Sequence, residues 1–126
     1  LNYIGFGGEG KQVRDILHIN DLFNLLLIQI NNFKDYNGKT FNVGGGNDVS
    51  ISLSELTELC ENITGNKIKI NKIQKNRSAD IPIYISDNSK IQDLSSWTPE
   101  NSPTQIIFDT FKWLKNNESI LKNILS

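Results

Sequence analysis

The chain has 126 residues, enough for one small domain and too few for two. Its net charge of -1 leaves no broad basic field to hold nucleic acid or an anionic membrane. The single cysteine, Cys60, excludes an internal disulfide and fits a reducing cytoplasm, and no apolar run approaches the roughly 20 residues of a membrane span.

Leu1 to Phe6 alternates weakly and reads as a strand, broken by Gly7, Gly8 and Gly10. Methionine is absent and the chain opens as if in mid-strand, so it is expected to be a piece of a longer protein. No signal-peptide order is visible at its start. Gln12 to Leu17 is a second extended stretch. Asn20 or Asp21 caps a helix to about Phe33, whose apolar residues cover most of the circumference. That pattern predicts a central core element buried on more than one side. Asn37-Gly38 is a turn, and Thr40 to Val43 a short strand ahead of Gly44-Gly45-Gly46.

Ser52 and Glu55 form a capping box for a helix running to Ile63, with Gly65 as its stop. Lys67 to Ile73 reads as a strand and Gln74 to Pro82 as a polar loop. Ser86 or Asp87 starts a short helix containing Ile91 and Leu94, and Trp97-Thr98-Pro99 is a turn with a buried anchor. Ser102, Pro103 and Gln105 mark a strong helix start. A last amphipathic segment holds Ile120, Leu121, Ile124 and Leu125. Short strands scattered among helices predict an α/β chain of the irregular α+β kind, one domain over residues 1–126, without a complete doubly wound sheet.

The triple glycine follows a strand but precedes no immediate helix. A tight backbone crossing explains it better than a phosphate loop. His18 is alone, so a zinc site is excluded and a structural bond to backbone or an aspartate is expected. Cys60, on an apolar helix face, reads as inert core. Of the 13 basic residues only Arg14 and Arg77 are arginine. Arginine in a chain that uses lysine nearly everywhere suits a forked grip on carboxylate or phosphate; the alternatives are chance survival or a bond to a surface carboxylate. Each arginine has an aspartate close by, in Lys11-Gln12-Val13-Arg14-Asp15 and in Arg77-Ser78-Ala79-Asp80. If the two segments meet, two guanidiniums face a diphosphate and Asp80 accepts from ribose hydroxyls.

Arg14-Asp15, His18-Ile19 and Asp21-Leu22 together resemble a motif of the extended short-chain dehydrogenase/reductase family, the nucleotide-sugar epimerases and dehydratases. Asn42-Val43-Gly44-Gly45-Gly46, Ser52-Leu53-Ser54-Glu55-Leu56, Arg77-Ser78-Ala79-Asp80 and Trp97-Thr98-Pro99 keep that family's order. The run from Tyr3 to Asp15 is similar to one branch, the CDP-paratose 2-epimerases, also called CDP-tyvelose epimerases. The resemblance implies the C-terminal substrate-binding portion of an extended Rossmann-fold enzyme. Arg14 and Arg77 would grip the diphosphate, Asp80 the ribose, and Phe6 would pack near the base. Tyr84 would line the same pocket, and Gln12 and Lys11, which belong to the branch signature, are further substrate-binding candidates. The implied partner is a nucleotide-diphosphate sugar, a CDP-sugar first and a UDP- or dTDP-sugar as the alternative. The implied chemistry inverts C2 of a CDP-3,6-dideoxyhexose through a 2-keto intermediate, with NAD as cofactor, in a cytoplasmic enzyme that forms homo-oligomers.

Two departures qualify the resemblance. The dinucleotide fingerprint is absent, and no tyrosine has a lysine four residues on, so NAD and the catalytic residues are expected upstream and this piece alone is expected to be inactive. A reading from another class is a non-catalytic protein-interaction module whose arginines serve surface ion pairs. The many apolar residues also predict self-association through surface that a missing domain would cover.

Overall fold

The computed structural model describes residues 1–125. The chain runs β1 (Asn2–Ile4), β2 (Val13–Asp15), α1 (Ile19–Asn31), α2 (Phe33–Tyr36), β3 (Ser50–Ser52), α3 (Leu53–Thr64), β4 (Asn71–Ile73), β5 (Ile83–Tyr84), α4 (Ser89–Ser95), α5 (Pro103–Asn116) and α6 (Glu118–Leu125). Two small sheets result, not one wound sheet. β1 pairs in parallel with β4, and β2 lies between antiparallel β3 and parallel β5. This is the mixed α/β lobe expected.

Helix starts follow the capping chemistry closely. Ser52 accepts from the Glu55 N–H while Glu55 accepts from the Ser52 N–H, and Gly65 ends α3 in the left-handed conformation. Ser102 accepts from the Gln105 N–H, with Pro103 at the first position of α5. Two starts differ from expectation. α1 is capped by His18, whose Nδ1 accepts from the Asn20 N–H, so neither Asn20 nor Asp21 is the cap. α4 begins after Asn88, not after Ser86 or Asp87. The imidazole nitrogen does the work usually given to a hydroxyl or carboxylate.

The core is Leu25, Tyr36, Ile91 and Trp97, with Leu17, Ile28, Phe41 and Val43 packed against it. α1 thus feeds the core from one side only. Phe23, Leu26, Leu27 and Ile30 are exposed, which corrects the expectation of a helix buried on more than one side. Thr40 to Val43 forms no ladder, because no strand lies beside it. Only the last three residues of the expected strand from Lys67 pair, since β1 offers only three. Cys60 is partly buried and lies outside the core cluster, because α3 is covered only in part. The side chain of Leu125 lies outside the described part.

Trp97 is the buried anchor its turn suggested, and its indole N–H donates to the Asp21 carbonyl at 3.0 Å. Asp21 is buried and accepts from the Asn101 side chain at 2.8 Å and from its backbone N–H at 3.2 Å. One carboxylate therefore fastens the segment between α4 and α5 onto the start of α1. Among the described residues no helix is long and apolar enough to cross a membrane.

Candidate functional site

β2 carries Gln12 at its entrance and Arg14 at its centre. Val13 donates its N–H to the Pro82 carbonyl at 2.9 Å, and Leu53 donates to the Gln12 carbonyl at 3.0 Å. These bonds draw the polar loop from Gln74 to Pro82 against one edge of β2 and the start of α3 against the other. The loop is fixed again at Asn76, whose Oδ1 accepts from the Phe6 N–H at 2.7 Å. Residues some 60 positions apart in the chain thereby share one cleft of about 270 Å³.

Arg14, Arg77, Asp80 and Gln12 all line this cleft, beside an aliphatic wall of Ile16, Ile51, Leu53 and Leu56. The two arginine-bearing segments therefore meet. Their roles differ in kind. Arg14 donates to the Val13 carbonyl at 2.6 Å and to the Ile81 carbonyl at 2.8 Å, and its Nη2 lies 3.8 Å from Asp80. Part of its guanidinium is spent on holding the loop. Arg77 is exposed and makes no ion pair among the described residues, so its fork is free for a ligand. Asp80 is largely buried and reached by both Arg14 and Gln12.

Phe6, Lys11 and Tyr84 are not among the residues lining the cleft. Phe6 holds a left-handed backbone at φ 47° in a short 3-10 turn, tied there by Asn76. Lys11 is exposed and pairs with Glu9 at 2.5 Å. Tyr84 pairs with Arg14 across the sheet, yet its side chain is mostly exposed. The apolar surface in the cleft is aliphatic, and nothing in its scattered positions marks it before the fold is known. Asn76 likewise carries no motif that singles it out.

The triple glycine is a crossing and no phosphate cradle. A side chain on Gly44 would collide with Asp15 and Ser86, and one on Gly45 with the Ile16 carbonyl. Its backbone is already engaged. Gly44 exchanges two bonds with the buried Asn88 amide, at 3.1 Å and 2.9 Å, and Gly46 donates to Asp15 at 3.0 Å. These glycines do not fit a dinucleotide pyrophosphate. Asp15 also accepts from the Ser86 N–H at 3.1 Å. Burial pushes its carboxyl up, but the bonds from Gly46 and Ser86 outweigh this and hold it below the usual carboxylate range. His18 is structural as expected, and its Nε2 lies 3.4 Å from Asp109 on α5.

No family model matches the chain. It is 31% identical over 106 residues to the CDP-paratose 2-epimerase of Salmonella typhi, covering 84% of this chain and 31% of that protein. It is 30% identical over 117 residues to the UDP-glucuronate 4-epimerase of Thermodesulfobacterium geofontis (strain OPF15), covering 93% of this chain and 35% of that protein. The UDP-glucuronic acid 4-epimerase of Bacillus cereus, solved with UDP-glucuronic acid and NAD, superposes with a TM-score of 0.70 at 23% identity. That superposition covers 88% of this chain and 34% of the other. The relatives and structural neighbours are nucleotide-sugar epimerases and dehydratases. The chain has the fold of their C-terminal portion and spans about a third of their length.

Proposed function

We propose that this chain is the substrate-gripping part of an NAD-dependent nucleotide-sugar epimerase. One observation carries the reading: Arg14, Arg77 and Asp80, from segments distant in sequence, line a single cleft with an aliphatic wall. Free Arg77 supplies a forked cation for a diphosphate, Arg14 adds a second, and Asp80 is an acceptor for a hydroxyl. The aliphatic wall takes a base or sugar face in the role first assigned to Phe6 and Tyr84. The finer proposal is a CDP-sugar epimerised at C2. UDP- and dTDP-sugars are its rivals, because the matches to CDP- and UDP-sugar enzymes are of similar strength.

The chain's own task is to bind and orient the sugar nucleotide. The glycine crossing is closed to a dinucleotide, so NAD and the proton-transfer groups belong to the remaining two thirds of a relative-length enzyme. The apolar side of α1 is left for that remainder to cover, and the whole enzyme is proposed to be a cytoplasmic homo-oligomer. Because that side is also a surface on which another protein could dock, an interaction module is the competing reading.

Calorimetric titration with CDP, UDP and dTDP tests the proposal. Arg77→Lys is the cleaner variant, because Arg77 holds no structural bond among the described residues. It should weaken the preferred nucleotide roughly tenfold without changing thermal stability. A CDP preference supports the finer proposal, and a UDP or dTDP preference replaces it within the family. Nucleotides that bind neither this chain nor the relative-length protein would leave the interaction module standing.

A further inference from the structure

Among the described residues, Gln12 is the one cleft residue with a buried side-chain polar atom left unpaired. Its Nε2 donates to the Ile4 carbonyl through a short bond and lies 3.5 Å from Asp80 Oδ2. Its Oε1 is buried with no partner among the described residues. Turning the amide over brings no relief, because its oxygen would then face a carbonyl and a carboxylate, both acceptors. Burying an unpaired acceptor is costly, and an aliphatic side chain of similar length would avoid it. Only the donor half of the carboxamide is used, so its contribution lies in what Nε2 does.

We infer that Gln12 is a positioning residue for Asp80, and that it does not touch the ligand. The inference rests on the proposed reading, in which Asp80 accepts a hydroxyl of the nucleotide sugar. Because Oε1 is closed to solvent, the amide is an internal brace between β1 and the loop that carries Asp80. Gln12 Nε2 lies 3.5 Å from Oδ2 while Arg14 faces Oδ1 at 3.8 Å, so the carboxylate is flanked from two sides and keeps lone pairs for a ligand. A neutral donor suits this place. Lysine would add a third cation beside Arg14 and Arg77, and a carboxylate would repel Asp80. This replaces the direct ligand contact that the branch signature implied for Gln12.

The test compares wild type with Gln12→Leu and Gln12→Glu, titrated with CDP and UDP from pH 5 to 8, with thermal unfolding alongside. The titratable groups lining the cleft are Arg14, Arg77 and Asp80, and the walls from β1, β3 and α3 contribute none. Gln12→Leu should weaken binding roughly tenfold, the usual scale for one bond to a charged group. Gln12→Glu, nearly the same shape, sets a second carboxyl beside Asp80. Like-charge repulsion favours uptake of one proton by the new carboxyl as pH falls, and the protonated group donates again. Its affinity relative to wild type should therefore be low at pH 8 and recover toward pH 5. A merely structural role would lower the melting temperature without that recovery. Variants that bind nucleotide as wild type does at every pH would overturn the inference and leave the proposed function intact. Absence of nucleotide binding in both this chain and the relative-length protein would overturn both.

Discussion

Single residues divide into those whose type announces their work and those whose work appears only through a neighbour. Arg14 and Arg77 stand out because the chain otherwise uses lysine, and both line the cleft. Asp15 belongs to the motif that suggested the family, yet its work is to join three segments by accepting from Gly46 and Ser86. Its carboxyl is held below the usual range, so the sign of its pH effect is determined. A group depressed in the folded state contributes its full stability above the unfolded value of about 3.8 and loses it as pH falls through the folded value. Asp15→Asn should cost about 1–2 kcal/mol at neutral pH. In urea titrations the gap from wild type should shrink below that value. A gap that stays constant down to acid pH would assign the effect to shape, not charge.

At the level of elements, helices were more legible than strands. A helix is written locally, in its cap, its period and its stop, and the Ser52–Glu55 box and the Ser102-Pro103 start both form as read. Strands of two or three residues depend on whichever segment lies alongside. Thr40 to Val43 has strand-like residues and no neighbour to pair with, whereas Ile83–Tyr84 becomes a strand because β2 is there. Ser52→Ala tests the local claim. Losing the cap should destabilise the chain by about 1 kcal/mol, read as a lower denaturant midpoint. An unchanged midpoint would mean that packing of α3 alone sets its start.

For the molecule as a whole, the main surprise is what stays uncovered. Ile19, Phe23, Leu26 and Ile30 recur at alternating spacings of four and three along α1, and each is substantially exposed. Such a stripe resembles one seam of a helix pair. The 126-residue chain should therefore self-associate as its concentration rises in sedimentation experiments, and a Phe23→Lys, Ile30→Lys double variant should stay monomeric. A wild-type chain that remains monomeric at millimolar concentration would refute this. The helix forms as expected, but the inference from apolar residues over most of its circumference to burial on more than one side failed. An apolar face is stabilised by any cover that removes it from water, and nothing in its pattern says that the cover lies within this chain.

The sequence by itself determined the helices, the glycine crossing, the structural role of His18 and the pair of arginine-bearing segments. Each is set by near-neighbour chemistry or by a scarce residue type. Only the tertiary structure decided that Arg14 is half committed to backbone carbonyls while Arg77 is free. It also decided that the apolar wall is aliphatic and that Gln12 braces Asp80. Those outcomes depend on which distant atoms come within hydrogen-bonding reach. That reach is set by the packing of β2 against the 76–82 loop and α3, at separations along the chain that local pattern does not encode.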